Sequence, residues 1–213
     1  MKFVRSVLSP EECQSGAEEL AGRLRCGLWL VEAGCAPPAA HRPGRLLAPM
    51  HALHGAAISM RTATLLRCDL AAPVVLWLRQ AGCVLAEHSD VALHEILVNA
   101  AIHGNLRVPA VSALGWQALD ERVALIAAAL EAPHPASRMV TIAAGWNANH
   151  AMAAVIDEGA GYSVADLPHP APGTAPRATG RGLLITQAVA RLDLCDGGRC
   201  ARVIFARAPG CEA

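Results

Sequence analysis

Two alternating, strand-like runs, RMVTIAAGW and HAMAAVIDEG, lie between residues 138 and 159 with only NAN between them. Runs of this length joined by so short a spacer of turn formers have one economical arrangement, an antiparallel β-hairpin. A lone hairpin is marginal in water, so the chain must build a larger sheet around it. The carboxylates of DEGAG, Asp157 and Glu158, then sit where the second strand ends.

The remaining pattern supplies helices and a further strand. SPEECQSGAEELAGRLRCGLWLVEAG predicts a helix over residues 9–34, with Ser9 as N-cap, Pro10 at the first helical position and Gly34 beyond the end. CAPPAAHRPGR, residues 35–45, reads as a linker, and residues 47–60 as a second helix. RTATLLRCDL has strand character, APVVLWLRQAGC that of a short helix ending near Gly82, and Ser89 is the expected cap of the next helix. A clear amphipathic helix covers about residues 116–131. Proline and glycine dominate residues 168–180, which read as a mobile loop; GRGLLITQAVARLDL resumes as helix and CARVIFAR ends as a strand. The expected organisation is a helical extension over residues 1–61, with a linker near 35–46, followed by a domain over 62–213. That domain is expected to be an α/β (α+β) two-layer sandwich, a mixed and mostly antiparallel sheet covered by helices on one face.

Composition narrows the partners. Across 213 residues, 18 basic and 18 acidic side chains balance, so no overall field favours nucleic acid or an anionic membrane. Eight cysteines are scattered without a CxxC pair or zinc-ligand spacing, and read as buried free thiols. Acidic and polar groups interrupt the first residues before an apolar leader segment forms, and no apolar run approaches membrane-spanning length. A cytoplasmic location is expected.

HEILVNAAIHGN, residues 94–105, carries the chemistry. Glu95, Asn99 and His103 stand four residues apart on one stripe of a 3.6-residue helix, while Leu93, Ile96, Leu97, Ala100 and Ala101 cover the other side. An amide oxygen suits Mg²⁺, and a carboxylate one turn away can act as base in phosphoryl transfer. Asp157 at a strand end can accept from the exocyclic amine of a purine, and the glycines after it let the backbone come close. The Gly-rich turn at Gly180–Gly182 offers N–H groups and a helix dipole to phosphates. His103 reads mainly as a helix-end group bonding local carbonyls, ahead of nucleotide contact.

These three segments, in this order, resemble the Bergerat-fold (GHKL) histidine-kinase-like ATPases. E-x3-N-A-x2-H-G-N is similar to their N-box, D-E-G-x-G to their G1 box and G-R-G-L to their G2 box, over about residues 62–208. The nearest likeness is to the anti-sigma-factor serine/threonine kinases, with a Pro-rich lid between Asp166 and Leu183. In the last strand this chain has GRCARV, residues 198–203, where relatives commonly have G-T-x-V or G-N-x-V. The resemblance implies a Bergerat fold that binds ATP and Mg²⁺. Asn99 would be the metal ligand and Glu95 the general base. Asp157 would face adenine, Gly159 and Gly161 would shape that pocket, and Gly180, Arg181, Gly182 and Leu183 would lie at the phosphates.

The expected function is that of an anti-sigma-type serine/threonine kinase in bacterial signalling. It would phosphorylate or sequester a protein partner: an antagonist, a sigma factor or a response-regulator-linked protein. It is expected to be free of membrane and of direct nucleic-acid contact, with a homodimer in reach. One alternative is the catalytic module of an atypical histidine kinase or phosphotransfer protein, with His51 or His54 as acceptor. Another is a non-catalytic nucleotide-dependent module using helices 9–34 and 47–60 as its surface.

Overall fold

The computed structural model describes residues 1–109, 116–161 and 181–206. Seven strands form one mixed sheet: β1 (Val4–Leu8), β2 (Leu28–Glu32), β3 (His54–Arg61), β4 (Met139–Trp146), β5 (His150–Ile156), β6 (Arg191–Cys195) and β7 (Cys200–Ala206), in the order β1-β2-β3-β4-β5-β7-β6. β1, β2 and β3 run parallel, and every other pairing is antiparallel. The hairpin read from residues 138–159 is the pair β4–β5, in register from Thr141 opposite Ile156 to Trp146 opposite Ala151. All eight residues of β4 are buried, which explains a continuous apolar run in place of a strict alternation.

Short helices α1 (Pro10–Cys13), α2 (Ala17–Arg23), α3 (Pro43–Leu47) and α4 (Thr62–Leu65) accompany the longer α5 (Ala71–Gln80), α6 (Ser89–Asn99), α7 (Trp116–Glu131), α8 (Pro133–Ser137) and α9 (Arg181–Val189). Leu20 of α2, Val74 and Leu78 of α5, and Leu93 and Ile96 of α6 pack with Ile58, Ile142 and Val155 into the main core on one face of the sheet. The molecule is thus α+β, with a mixed sheet and a helical layer. No helix among the described residues is long and apolar enough to cross a membrane.

The first sixty residues depart from the helical extension. Ser9 does cap a helix, accepting from Glu12 N–H at 3.3 Å while Glu12 Oε2 accepts from Ser9 N–H at 2.7 Å, but that helix ends at Cys13. Leu28–Glu32 and His54–Arg61, both expected to be helical, are strands, whereas Thr62–Leu65, expected to be in a strand, is helical. Gly27 and Gly34, both at positive φ, bracket β2 and leave room for only a short extended run. Pairing decides the rest: β3 is bonded to β4 over eight residues, so the sheet runs unbroken across the boundary expected at 61/62.

Residues 35–50, expected as linker and helix start, fold over the sheet face opposite α5 and α6. Leu46 and Leu47 of α3 pack there on Ala57, Ala143 and Met152. Gly55 and Gly145 face each other across β3 and β4, and a Cβ on Gly55 would come within 2.5 Å of Leu47 Cδ1. The paired glycines make the recess that seats this strap.

Candidate functional site

α6 buries Ala92, Leu93, Ile96 and Leu97 and leaves Glu95 and Asn99 half-buried one turn apart, as the amphipathic pattern predicts. Ser89 is not its N-cap. His88 precedes the helix in the left-handed region, and Ser89, its first residue, donates its hydroxyl to Ala86 C=O at 2.7 Å. His94 faces outward, 4.0 Å from Asp69. After Asn99 the helix widens into a π turn, Ala100–Asn105, with Leu106 N–H donating five residues back to Ala101 C=O. Within this wider turn, His103 Nδ1 lies 2.7 Å from Val108 C=O. That is the local carbonyl contact expected of it.

The π turn delivers Gly104 to Asp157. A Cβ on Gly104 would stand 2.6 Å from Asp157 Cγ, and one on Gly159 would stand 2.3 Å from Gly104 C=O. Gly161, at φ +77°, passes so near Gly197 C=O that a Cβ would come within 2.0 Å of it. The first of these approaches is to the Asp157 carboxyl and the other two are to backbone carbonyls. Asp157 is 6% exposed, and Gly159 N–H donates to its Oδ1 at 2.6 Å. Burial pushes its carboxyl up to about 6, against the opposing pull of that N–H and of Arg199 and Arg138.

Two residues without an assigned role turn out to frame the site. Asn105 is fully buried; its Nδ2 donates to Thr62 Oγ1 at 2.8 Å and Met139 C=O at 3.1 Å, and its Oδ1 accepts from Glu158 N–H at 2.7 Å. It ties the end of the π turn to the start of β4 and the end of β5. The available signal was an amide directly after the helix-end glycine, a place where backbone groups need partners.

His41, 1% exposed on the strap, lies 2.9 Å from Thr141 Oγ1 through Nδ1 and also bonds the main-chain carbonyl of Asp157. Thr141 Oγ1 is 2.6 Å from Ser59 Oγ, which accepts from Trp29 Nε1–H at 2.8 Å. With His41 neutral and donating to Asp157 C=O, its Nδ1 can only accept, so the chain runs from Trp29 to Ser59, from Ser59 to Thr141 and from Thr141 to His41. Burial lowers the His41 pKa and so favours that neutral ring. Sequence gave no sign of this contact, since His41 lies in a stretch read as linker.

Arg181 and Gly182 open α9, and Leu183, half-buried, packs on the main core; Gly180 and the expected lid at 168–180 lie outside the described residues. Thr186 Oγ1 donates to Ala92 C=O at 3.2 Å, holding α9 on α6. The structure therefore brings the π turn after α6 to Asp157 at the end of β5 and packs α9 on α6. His51 and His54 do not sit on a helix: His51 is in a left-handed turn and His54 begins β3, stacked on Trp146 at 5.2 Å. No group of three or more His, Cys, Asp and Glu side chains that could hold a metal ion occurs among the described residues. No protein-family model matches this chain, and neither does any curated protein sequence.

Proposed function

We propose that the protein binds Mg·ATP in a Bergerat-type site and acts as an anti-sigma-type serine/threonine kinase on a protein partner in the cytoplasm. The observation that carries the reading is Asp157. A carboxylate buried at a strand end, with one backbone N–H on it and held against Gly104 of the motif helix, suits the exocyclic amine of a purine. Such a donor would supply the hydrogen bonding that a buried carboxylate needs.

Asn99 and Glu95 stand half-buried one turn apart on α6. Asn99 would hold Mg²⁺ through its amide oxygen, with phosphates and water completing the shell. The ion would neutralise phosphate charge, and Glu95, one turn earlier, would orient and deprotonate the attacking hydroxyl. Gly180, Arg181, Gly182 and Leu183 would border the phosphates at the start of α9, with Gly159 and Gly161 shaping the purine end.

Calorimetry with ATP and Mg²⁺ tests this. Wild type is expected to bind, with affinity lost in Asn99→Ala and in Asp157→Asn. Glu95→Ala is expected to keep affinity within a few-fold while losing ATP turnover. Absence of binding to wild type overturns the reading.

A second reading, a nucleotide-dependent binding module without catalysis, is favoured by α7. Trp116, Leu119 and Val123, at i, i+3 and i+7, are 83%, 50% and 58% exposed, an apolar stripe suited to a protein partner. Intact binding in Glu95→Ala with no turnover in wild type would select it.

A further inference from the structure

A separate cleft of about 250 Å³ lies on the strap side of the sheet, away from α6. Met152 of β5 and Ile204 of β7 line it together with Met50, the end of a 3-10 turn over Ala48–Met50. Asn147 Nδ2 donates to Met50 C=O at 2.7 Å, which fixes the Met50 side of the cleft to the β4–β5 turn. Pro49, His150, Arg191, Asp193 and Arg202 complete the lining. Arg191 is committed, its Nη2 standing 2.8 Å from Asp193 Oδ2. Arg202 stands opposite Asp193 in the β6–β7 register, and its Nε is buried without a hydrogen-bond partner. A buried charged donor left unmade is costly, and an acceptor bound in the cleft would relieve that cost.

The charges select the ligand. Arg191 and Asp193 cancel, so Arg202 leaves the cleft a surplus of one positive charge, and the neighbouring Asp193 carboxylate disfavours a dianion. A planar guanidinium matches a carboxylate through paired N–H donors, while Met50, Met152 and Ile204 offer an apolar wall. We propose that this cleft binds a small amphipathic monocarboxylate, its head on Arg202 and its hydrocarbon body against Met50, Met152 and Ile204. The site is independent of the nucleotide reading, because none of its residues belongs to the Asp157–Gly104 junction.

Backbone-amide NMR titration of the full chain with hexanoate, hexanamide and inorganic phosphate tests it. Hexanoate is expected to shift amides of β5, β6 and β7 saturably. Hexanamide and phosphate should bind at least about tenfold more weakly, a difference of about 1.4 kcal/mol. Arg202→Met is expected to lose hexanoate binding by at least the same factor. No saturable shift with hexanoate, or equal binding of hexanamide or phosphate, overturns the proposal, as does unchanged affinity in Arg202→Met. Should Arg202→Met fail to fold, the wild-type comparison of acid with amide decides alone.

Discussion

Asp157 is held at a cost to stability. Its carboxyl rises from an unfolded value near 3.8 to about 6, so the native state binds more protons than the unfolded chain between those values. Stability from this group therefore falls as pH rises from 4 to 6, and the full penalty, about 3 kcal/mol, is present at pH 7. Asp157→Asn keeps an oxygen for Gly159 N–H and removes the charge. We expect it to be more stable than wild type at pH 7 by up to about 3 kcal/mol, with the gain gone near pH 4. Urea unfolding at both pH values measures this; a variant less stable at pH 7 refutes it. Paired with loss of ATP binding, the gain would mark Asp157 as kept for function. Asn105 is the opposite case. Its removal leaves Glu158 N–H without its acceptor and takes a donor from Met139 C=O and from Thr62 Oγ1, which keeps its own bond to Arg138 C=O, and Asn105→Ala is expected to cost about 2–3 kcal/mol in the same experiment.

At the scale of elements, glycines separate by what surrounds them. Gly145 lies mid-strand with His54 C=O 2.4 Å from where a Cβ would stand, and Gly145→Ala is expected to destabilise by about 1–3 kcal/mol through backbone displacement. Gly22, inside α2, has nothing within 4 Å of that position, so Gly22→Ala should stabilise by about 0.5–1 kcal/mol. Thermal unfolding of the two variants should move in opposite directions. The π turn after α6 is also decided at this scale. Glu95 and Asn99 fall where a regular period puts them, whereas the π turn, which that period does not foresee, brings Gly104 onto Asp157.

For the whole molecule, β3 joins the first sixty residues to the rest. Without it, β4, buried along its entire length, would become an exposed edge. A fragment of residues 62–213 is therefore expected to aggregate or to lack cooperative unfolding by circular dichroism; a soluble, cooperatively folding fragment would show the sheet closes without β1–β3. Sequence alone determined the β4–β5 hairpin, the helix at 116–131 and the buried side of α6, because in each a local period of two or 3.6 residues, or a turn signal, agrees with the packing that the chain reaches. It also placed the candidate site residues on a helix, a strand end and a helix start. Only tertiary structure decided that Leu28–Glu32 and His54–Arg61 are strands, since a short apolar run carries no period of its own and takes its conformation from distant partners, β1 and β4. The same holds for His41 and Asn105: a buried hydrogen bond across a hundred or more residues, or between three separate segments, leaves no local mark on the sequence that makes it.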